Sequence, residues 1–200
     1  MRTFAIRSFL VMAACAAACA GTRPVVAPSA NARPKTTPTV TGDVHDFDYF
    51  AGAWTAKQRR LKVRGVGSND WEEFPSSLCM TPYLGGMATV DQIDFPTKGW
   101  SGLTVRTFNL EKRQWSIYWV SSRSGDMGPP QVGGFDGNHG VFYGEDEDDG
   151  HAVTVRYEWT KLGPDRAHWE QAFSRDGVTW EVNWTAEFFR ADRAATCRKG

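Results

Sequence analysis

The sequence lacks the short motifs that mark the commonest catalytic centres. It contains no Gly-x-Ser-x-Gly, no His-Glu-x-x-His, no glycine-rich phosphate loop and no Cys-x-x-Cys. Histidine is scarce, and the four histidines are scattered among predicted turns and strand ends: His45, His139, His151 and His168. Without a recognised nucleophile or ligand set, we expect no metal and no cofactor.

Cysteine is also sparse. Two of the four cysteines lie within the first 20 residues, which leaves Cys79 and Cys197 in the body of the chain. In an oxidising compartment these two are able to pair, but nothing in their spacing requires a disulfide. The sequence alone therefore leaves the pairing open.

The chain has no large excess of either charge. Residues 1–42 hold five basic and no acidic residues, whereas the remainder holds 18 basic and 23 acidic residues. A mildly acidic body without a basic stripe argues against nucleic acid as the main partner.

Residues 1–20 have the pattern of an export signal. Arg2 and Arg7 supply the charged region, an apolar stretch begins at Phe9, and small residues continue to Ala20. The apolar stretch is too short for a comfortable transmembrane helix. We therefore expect an exported protein.

The end of this signal offers two kinds of processing. Cys19, which follows three alanines, resembles the lipid-modified cysteine of bacterial lipoproteins, and Cys15 is a second candidate. Ordinary cleavage after Ala20 is the alternative. Residues 21–42 are rich in Pro, Ala and Thr without an amphipathic period, so they predict an extended tether. With Cys19 modified, a lipid anchor would hold the protein in the bacterial periplasm or on the outer membrane.

The body alternates between short strand-like runs and turn residues. We predict about ten strands, nearly all paired with antiparallel neighbours, and one short helix capped by Asp46 at the front. So many strands with one buried face must close on themselves or pair as two sheets, and closure removes exposed edges. The sequence thus predicts an all-β antiparallel barrel over residues 43–191, followed by a charged tail, 192–200.

Two hairpins indicate which side chains face the interior. The first is predicted to turn through a five-residue loop, Asn109–Arg113. The closing hairpin is predicted to turn at Asp176-Gly177, with Phe173 opposite Trp180 and Trp169 opposite Trp184. The buried face of the first would hold Leu103, Val105, Trp115, Ile117 and Trp119, and its other face Thr104, Arg106, Ser116 and Tyr118.

The start of the first strand resembles a known family motif. Gly52-Ala53-Trp54 is similar to the opening motif of lipocalins and related calycin barrels. The resemblance implies a basic residue near the end of the last strand that packs on this tryptophan, and Arg190 is in that position.

A longer pattern over about residues 45–190 resembles a bacterial domain family of unknown function for which a lipocalin-like barrel is expected. That resemblance implies the fold and transfers no activity. The pattern comprises His45–Asp48, Trp71–Phe74, Gln114–Trp119, Phe142–Gly144, Trp169–Ser174 and Asn183-Trp184. Some barrels of the calycin superfamily bind haem through one histidine, which His139 or His168 would supply, but we interpret both as surface residues.

The first functional hypothesis is a barrel that binds a small apolar molecule. Its ring-lined interior would be either an open cavity or a filled core, since small barrels are often filled by side chains. The residues predicted to line it are Trp54, Trp115, Trp119, Tyr157, Trp159, Trp169, Trp180 and Trp184.

Two further hypotheses remain open. An enzyme acting on a small anionic substrate would use polar groups on the other strand faces, unless these simply form cross-strand ion pairs in solvent. A tethered interaction module of the cell envelope would use the long loop Ser122–Gln131. The polar candidates are Arg106, Tyr118, Arg156, Glu170 and Asn183.

Overall fold

The computed structural model describes residues 40–197. The predicted signal, the proposed lipidation site Cys19 and most of the tether lie outside the described residues. Within residues 40–197, no helix is long and apolar enough to cross a membrane.

The body is a closed barrel of ten antiparallel strands, as predicted. Each strand pairs with its neighbours in sequence, and the first strand pairs with the last. The strands are β1 (Gly52–Leu61), β2 (Trp71–Tyr83), β3 (Ala88–Phe95), β4 (Trp100–Asn109), β5 (Gln114–Ser121), β6 (Gln131–Asp136), β7 (His139–Asp148), β8 (His151–Gly163), β9 (Arg166–Ser174) and β10 (Glu181–Arg190).

One strand contains a proline. Proline usually interrupts a strand, but β2 continues through Pro75. Proline has no N–H to donate, so it fits only where one side of a strand is unpaired. Pro75 pairs with Lys57 of β1, and the ladder between β2 and β3 begins only at Ser77.

The chain before β1 closes one end of the barrel, which we call the lower end. Phe47 and Phe50 are fully buried inside it, and the indole Nε1 of Trp54 donates to the carbonyl of Phe50 at 2.9 Å. The predicted short helix is not confirmed, because the segment forms only a 3-10 turn, Asp48–Phe50. Asp46 does not cap that turn: its carboxylate accepts the Asp43 N–H instead, at 2.7 Å.

Arg190 fastens this segment to the last strand. Its guanidinium carbon lies 3.9 Å from the ring centroid of Trp54, which confirms the predicted contact. The same group donates to the carbonyls of Ala51 and Tyr49, each at 2.6 Å. One arginine therefore holds the lower end shut through both stacking and hydrogen bonds.

The predicted faces of β4 were wrong. Asn109 pairs with Gln114, so the connecting loop has four residues, Leu110–Arg113, and not five. Because side chains alternate along a strand, this one-residue slip turns every β4 side chain to the opposite face. Leu103 and Val105 lie on the outer wall, and the inward pairs are Thr104–Trp119, Arg106–Ile117 and Phe108–Trp115.

The closing hairpin also differs from its predicted register. The Asp-Gly dipeptide lies within a six-residue loop, 175–180, and Phe173 opposes Glu181. A bulge between Val182 and Trp184 then shifts the pairing. As a result Gln171 opposes Trp184, Trp169 opposes Ala186, and Trp180 precedes β10.

The tail after β10 is attached to the outside of the barrel. It forms a short helix, α1 (Arg193–Thr196), whose N-cap Asp192 accepts the Ala195 N–H at 2.8 Å. A disulfide between Cys79 of β2 and Cys197 follows. The pairing that the sequence left open is therefore present.

Candidate ligand-binding cavity

The upper part of the barrel contains a cavity of about 280 Å³. Most of its wall is apolar, and side chains from nine of the ten strands contribute. Five of the eight predicted lining residues do line it: Trp119, Tyr157, Trp159, Trp169 and Trp184.

The other three predicted lining residues lie elsewhere. Trp54 and Trp115 are fully buried in the core of the lower end, where Trp115 packs edge-on against Phe47 at 5.1 Å. Trp180 lies on the outer wall, 5.9 Å from the ring of Tyr143. The barrel is therefore filled below and open above, so each of the two predicted alternatives holds for one part of the interior.

The rings around the cavity are held in position by one another. Trp169 contacts Tyr157 at 5.2 Å and Trp184 at 5.8 Å, measured between ring centroids. The indole Nε1 of Trp184 donates to Gln58 at 2.7 Å, and Gln58 donates to Ser76 at 2.9 Å. A wall held by such contacts is preorganised for a ligand, because little rotamer freedom is lost on binding.

A glycine on β4 makes room for one of these rings. A side chain at Gly102 would collide with the indole of Trp119, whose nearest atom lies 1.8 Å from the position of a Cβ. Glycine at this position therefore allows Trp119 to lie flat against the neighbouring strand and to form part of the wall.

A buried ion pair lies at the floor of the cavity. Arg106 and Asp91 are 2% and 1% exposed and are joined through the Nη1 atom of the arginine and a carboxylate oxygen. The guanidinium carbon of Arg106 lies 4.9 Å from the ring centroid of Phe47 and 5.8 Å from that of Phe50. A cation between aromatic faces and a carboxylate is stabilised by both.

Sequence reasoning missed Asp91. The available signal was its position on β3, because Asp91 lies two residues before Ile93 and four before Phe95 and therefore faces inward with them. A carboxylate on that face requires a cationic partner inside the barrel. Arg106 was a candidate, but the wrong register had placed it on the other face of its hairpin.

The other four polar candidates do not lie beside Arg106 in the cavity. Tyr118 lies on the outer wall opposite Val105. Arg156 stacks on the outer-wall Trp180 at 4.7 Å, and Glu170 lies 3.7 Å from a ring nitrogen of His168. Asn183 is fully buried at the β10 bulge, where it accepts a hydrogen bond from Gln171 at 2.8 Å. The five residues form no single catalytic set.

The two histidines considered as haem ligands bind carboxylates on the outer wall. His139 lies 3.3 Å from Glu158, and His168 lies 2.6 Å from Glu187. Neither lines the cavity. Across residues 40–197, no three His, Cys, Asp or Glu side chains are grouped to hold a metal ion.

The loop between β1 and β2, residues 62–70, reaches over the upper end, and we call it the mouth loop. Its Arg64 donates through Nε to Asp148 at 2.9 Å, and β7, which carries Asp148, is the fourth strand from β1 around the barrel. The N–H groups of Gly65 and Gly67 donate to Glu181 at 2.6 and 3.3 Å. Arg64 and Asp148 both line the cavity, so their ion pair lies across its entrance.

The long loop between β5 and β6 lies at the same upper end. A bridge between Val120 and Met127 holds its middle, and the Met127 side chain is exposed. This loop does not line the cavity.

No family model and no curated protein matches this chain. The functional argument therefore comes from the cavity itself.

Proposed function

We propose that this barrel binds a small, largely apolar molecule in the cavity between the Arg106–Asp91 pair and the mouth loop. The observation that carries the proposal is an open volume of about 280 Å³ enclosed by aromatic rings. Ligand sites are typically concave and mostly apolar, with a few placed polar groups. An apolar cavity of about 150 Å³ accepts benzene, so this one has room for a larger aromatic molecule.

The same proposal includes a lipocalin-like barrel in an exported, lipid-anchored protein. The contact of Arg190 with Trp54 supports the lipocalin-like assignment and the resemblance to the bacterial domain family. The Cys79–Cys197 disulfide supports export, because disulfides persist in oxidising compartments. The signal-like residues 1–20 and Cys19 are the basis for the anchor in the periplasm or on the outer membrane.

A cavity-filling substitution tests the binding proposal. Ala186 lines the cavity and is almost fully buried, so Ala186→Phe places a ring in the open space. The neighbouring Thr185 points to the outer wall, so Thr185→Phe adds the same ring outside. The probe is neutral phenyl-naphthylamine, whose fluorescence rises in apolar surroundings.

The wild type and Thr185→Phe are expected to bind one probe molecule with similar affinity. The affinity of Ala186→Phe for the probe is expected to fall at least about tenfold, since the new ring occupies the site. Circular dichroism checks that all three proteins are folded. Equal probe binding by wild type and Ala186→Phe, both folded, would contradict the proposal.

A further inference from the structure

One cation at the cavity lacks a carboxylate partner. Arg60 lines the cavity from the end of β1, and its guanidinium carbon lies 4.7 Å from the ring centroid of Trp184. Within residues 40–197, no carboxylate lies within 4 Å of it and no protein acceptor receives a hydrogen bond from it. The side chain is half-buried, and this burial together with the nearby Arg64 lowers the pKa of Arg60. A partly desolvated cation without a counter-ion favours a bound anion.

The carboxylates that line the cavity do not fill this role. Asp91 pairs with Arg106, and Asp148 pairs with Arg64. Asp146 and Glu147 lie on β7, the fourth strand from β1, and are exposed to solvent. Glu72 lies opposite Arg60 on β2 and attracts it, but the Glu72 carboxylate is bound by Lys98, so no carboxylate among residues 40–197 accepts the N–H groups of Arg60.

The geometry of Arg60 leaves its donors available. Arg60 contacts Trp184 through a cation–π interaction and, within residues 40–197, donates to no protein acceptor, so its N–H groups are available to bind an anion. The indole of Trp184 is held by its hydrogen bond to Gln58, which fixes the surface on which Arg60 rests. Nearby, Arg123 stacks on Trp100 at 4.7 Å and adds a second positive charge.

We propose that the ligand of this barrel carries an anionic group, such as a carboxylate, sulfonate or phosphate, which Arg60 binds at the upper end of the cavity. The rings of the ligand then lie against Trp184 and Trp169 below. This inference rests on the proposed binding function and specifies the class of ligand.

Two probes that differ only in charge test it. Anilino-naphthalene sulfonate has the rings of phenyl-naphthylamine plus one sulfonate. The ratio of the two affinities therefore measures the contribution of the anionic group to binding. The variants are Arg60→Gln, which removes the cation, and Arg60→Lys, which keeps the charge but loses the planar donors. The matched control is Arg59→Gln on the outer wall, where Arg59 stacks on Trp71 and pairs with Glu73.

We expect Arg60→Gln to weaken sulfonate binding about tenfold and to change neutral-probe binding by less than about twofold. Arg60→Lys is expected to retain part of the preference for the sulfonate over the neutral probe, and Arg59→Gln is expected to retain all of it. In the wild type, added salt weakens binding of the sulfonate but not of the neutral probe.

The outcomes separate this inference from the proposed function. If the neutral probe binds in the cavity but Arg60→Gln weakens both probes equally, or neither, the anionic ligand is ruled out and the cavity function stands. If Ala186→Phe leaves the binding of both probes intact, the cavity function fails and the inference fails with it.

Discussion

Arg106 and Asp91 give the floor of the cavity its polarity. Both side chains are removed from solvent, and each is the other's ion-pair partner. Burying two charges carries a desolvation cost that their attraction offsets only while both are present. The pair therefore makes the floor electrically neutral, and each member depends on the other.

This dependence predicts the behaviour of single and double variants. Arg106→Met is expected to lower the free energy of unfolding by about 3–5 kcal/mol, since Asp91 is then a buried charge without a partner. Adding Asp91→Leu removes that charge and is expected to restore most of the loss. Urea unfolding followed by tryptophan fluorescence measures both, and a single variant costing less than about 1 kcal/mol would contradict the account.

For single residues, the sequence showed which side chains are candidates for the site better than it showed which face of the strand they occupy. The outer-wall Tyr118 and the interior Arg106 were placed on one face because a loop of five residues was assumed. Nothing in the residues Leu110–Arg113 distinguishes a four-residue from a five-residue loop. The outcome depends on how β4 packs against Asp91 on the neighbouring β3 and against Phe47 at the lower end, and the loop residues do not encode these contacts.

The mouth loop lies at the entrance of the cavity. Its Arg64 is bound to Asp148 across the entrance, and its backbone is bound to Glu181 beside β1. These contacts hold the loop over the upper end without packing it into a large apolar core. Loops held in this way open more readily than core strands.

We therefore predict faster ligand exchange when the ion pair is removed. Asp148→Asn is expected to raise both the association and dissociation rates of the neutral probe severalfold, with little change in Kd, because a partly buried pair contributes about 1 kcal/mol. Stopped-flow fluorescence measures both rates. Asp149→Asn, in the adjacent exposed turn, is the control, and equal rates in all three proteins would show that the loop does not gate entry.

Element by element, alternation predicted where strands lie but not how they pair. The closing hairpin shows the reason. Asp176 was expected inside a tight turn, yet its carboxylate accepts the N–H groups of Val178 and Thr179 at 2.8 and 2.7 Å and so stabilises a wider loop. These hydrogen bonds lower the pKa of Asp176. Loop width and the β10 bulge together moved Trp180 outside while keeping Trp184 inside.

For the whole molecule, the sequence predicted about ten strands and their closure, and the resemblance to lipocalins implied the contact of Arg190 with Trp54. The sequence did not predict where the filled part of the interior ends. That boundary is set by Phe47 and Phe50, which come from a segment with no strand pattern and enter the barrel from below. No local pattern indicates such an insertion, because it depends on the space left by the closed strands.

The most direct test of the binding account is an NMR titration of nitrogen-labelled protein with phenyl-naphthylamine, following the indole N–H signals. Trp119, Trp169 and Trp184 are three of the four tryptophans that line the cavity, whereas Trp71 and Trp180 lie on the outer wall. We predict saturable shifts for these three indoles and none for the two outer ones. No shifts at saturating probe, or shifts confined to Trp71 and Trp180, would contradict the claim that the cavity binds a ligand.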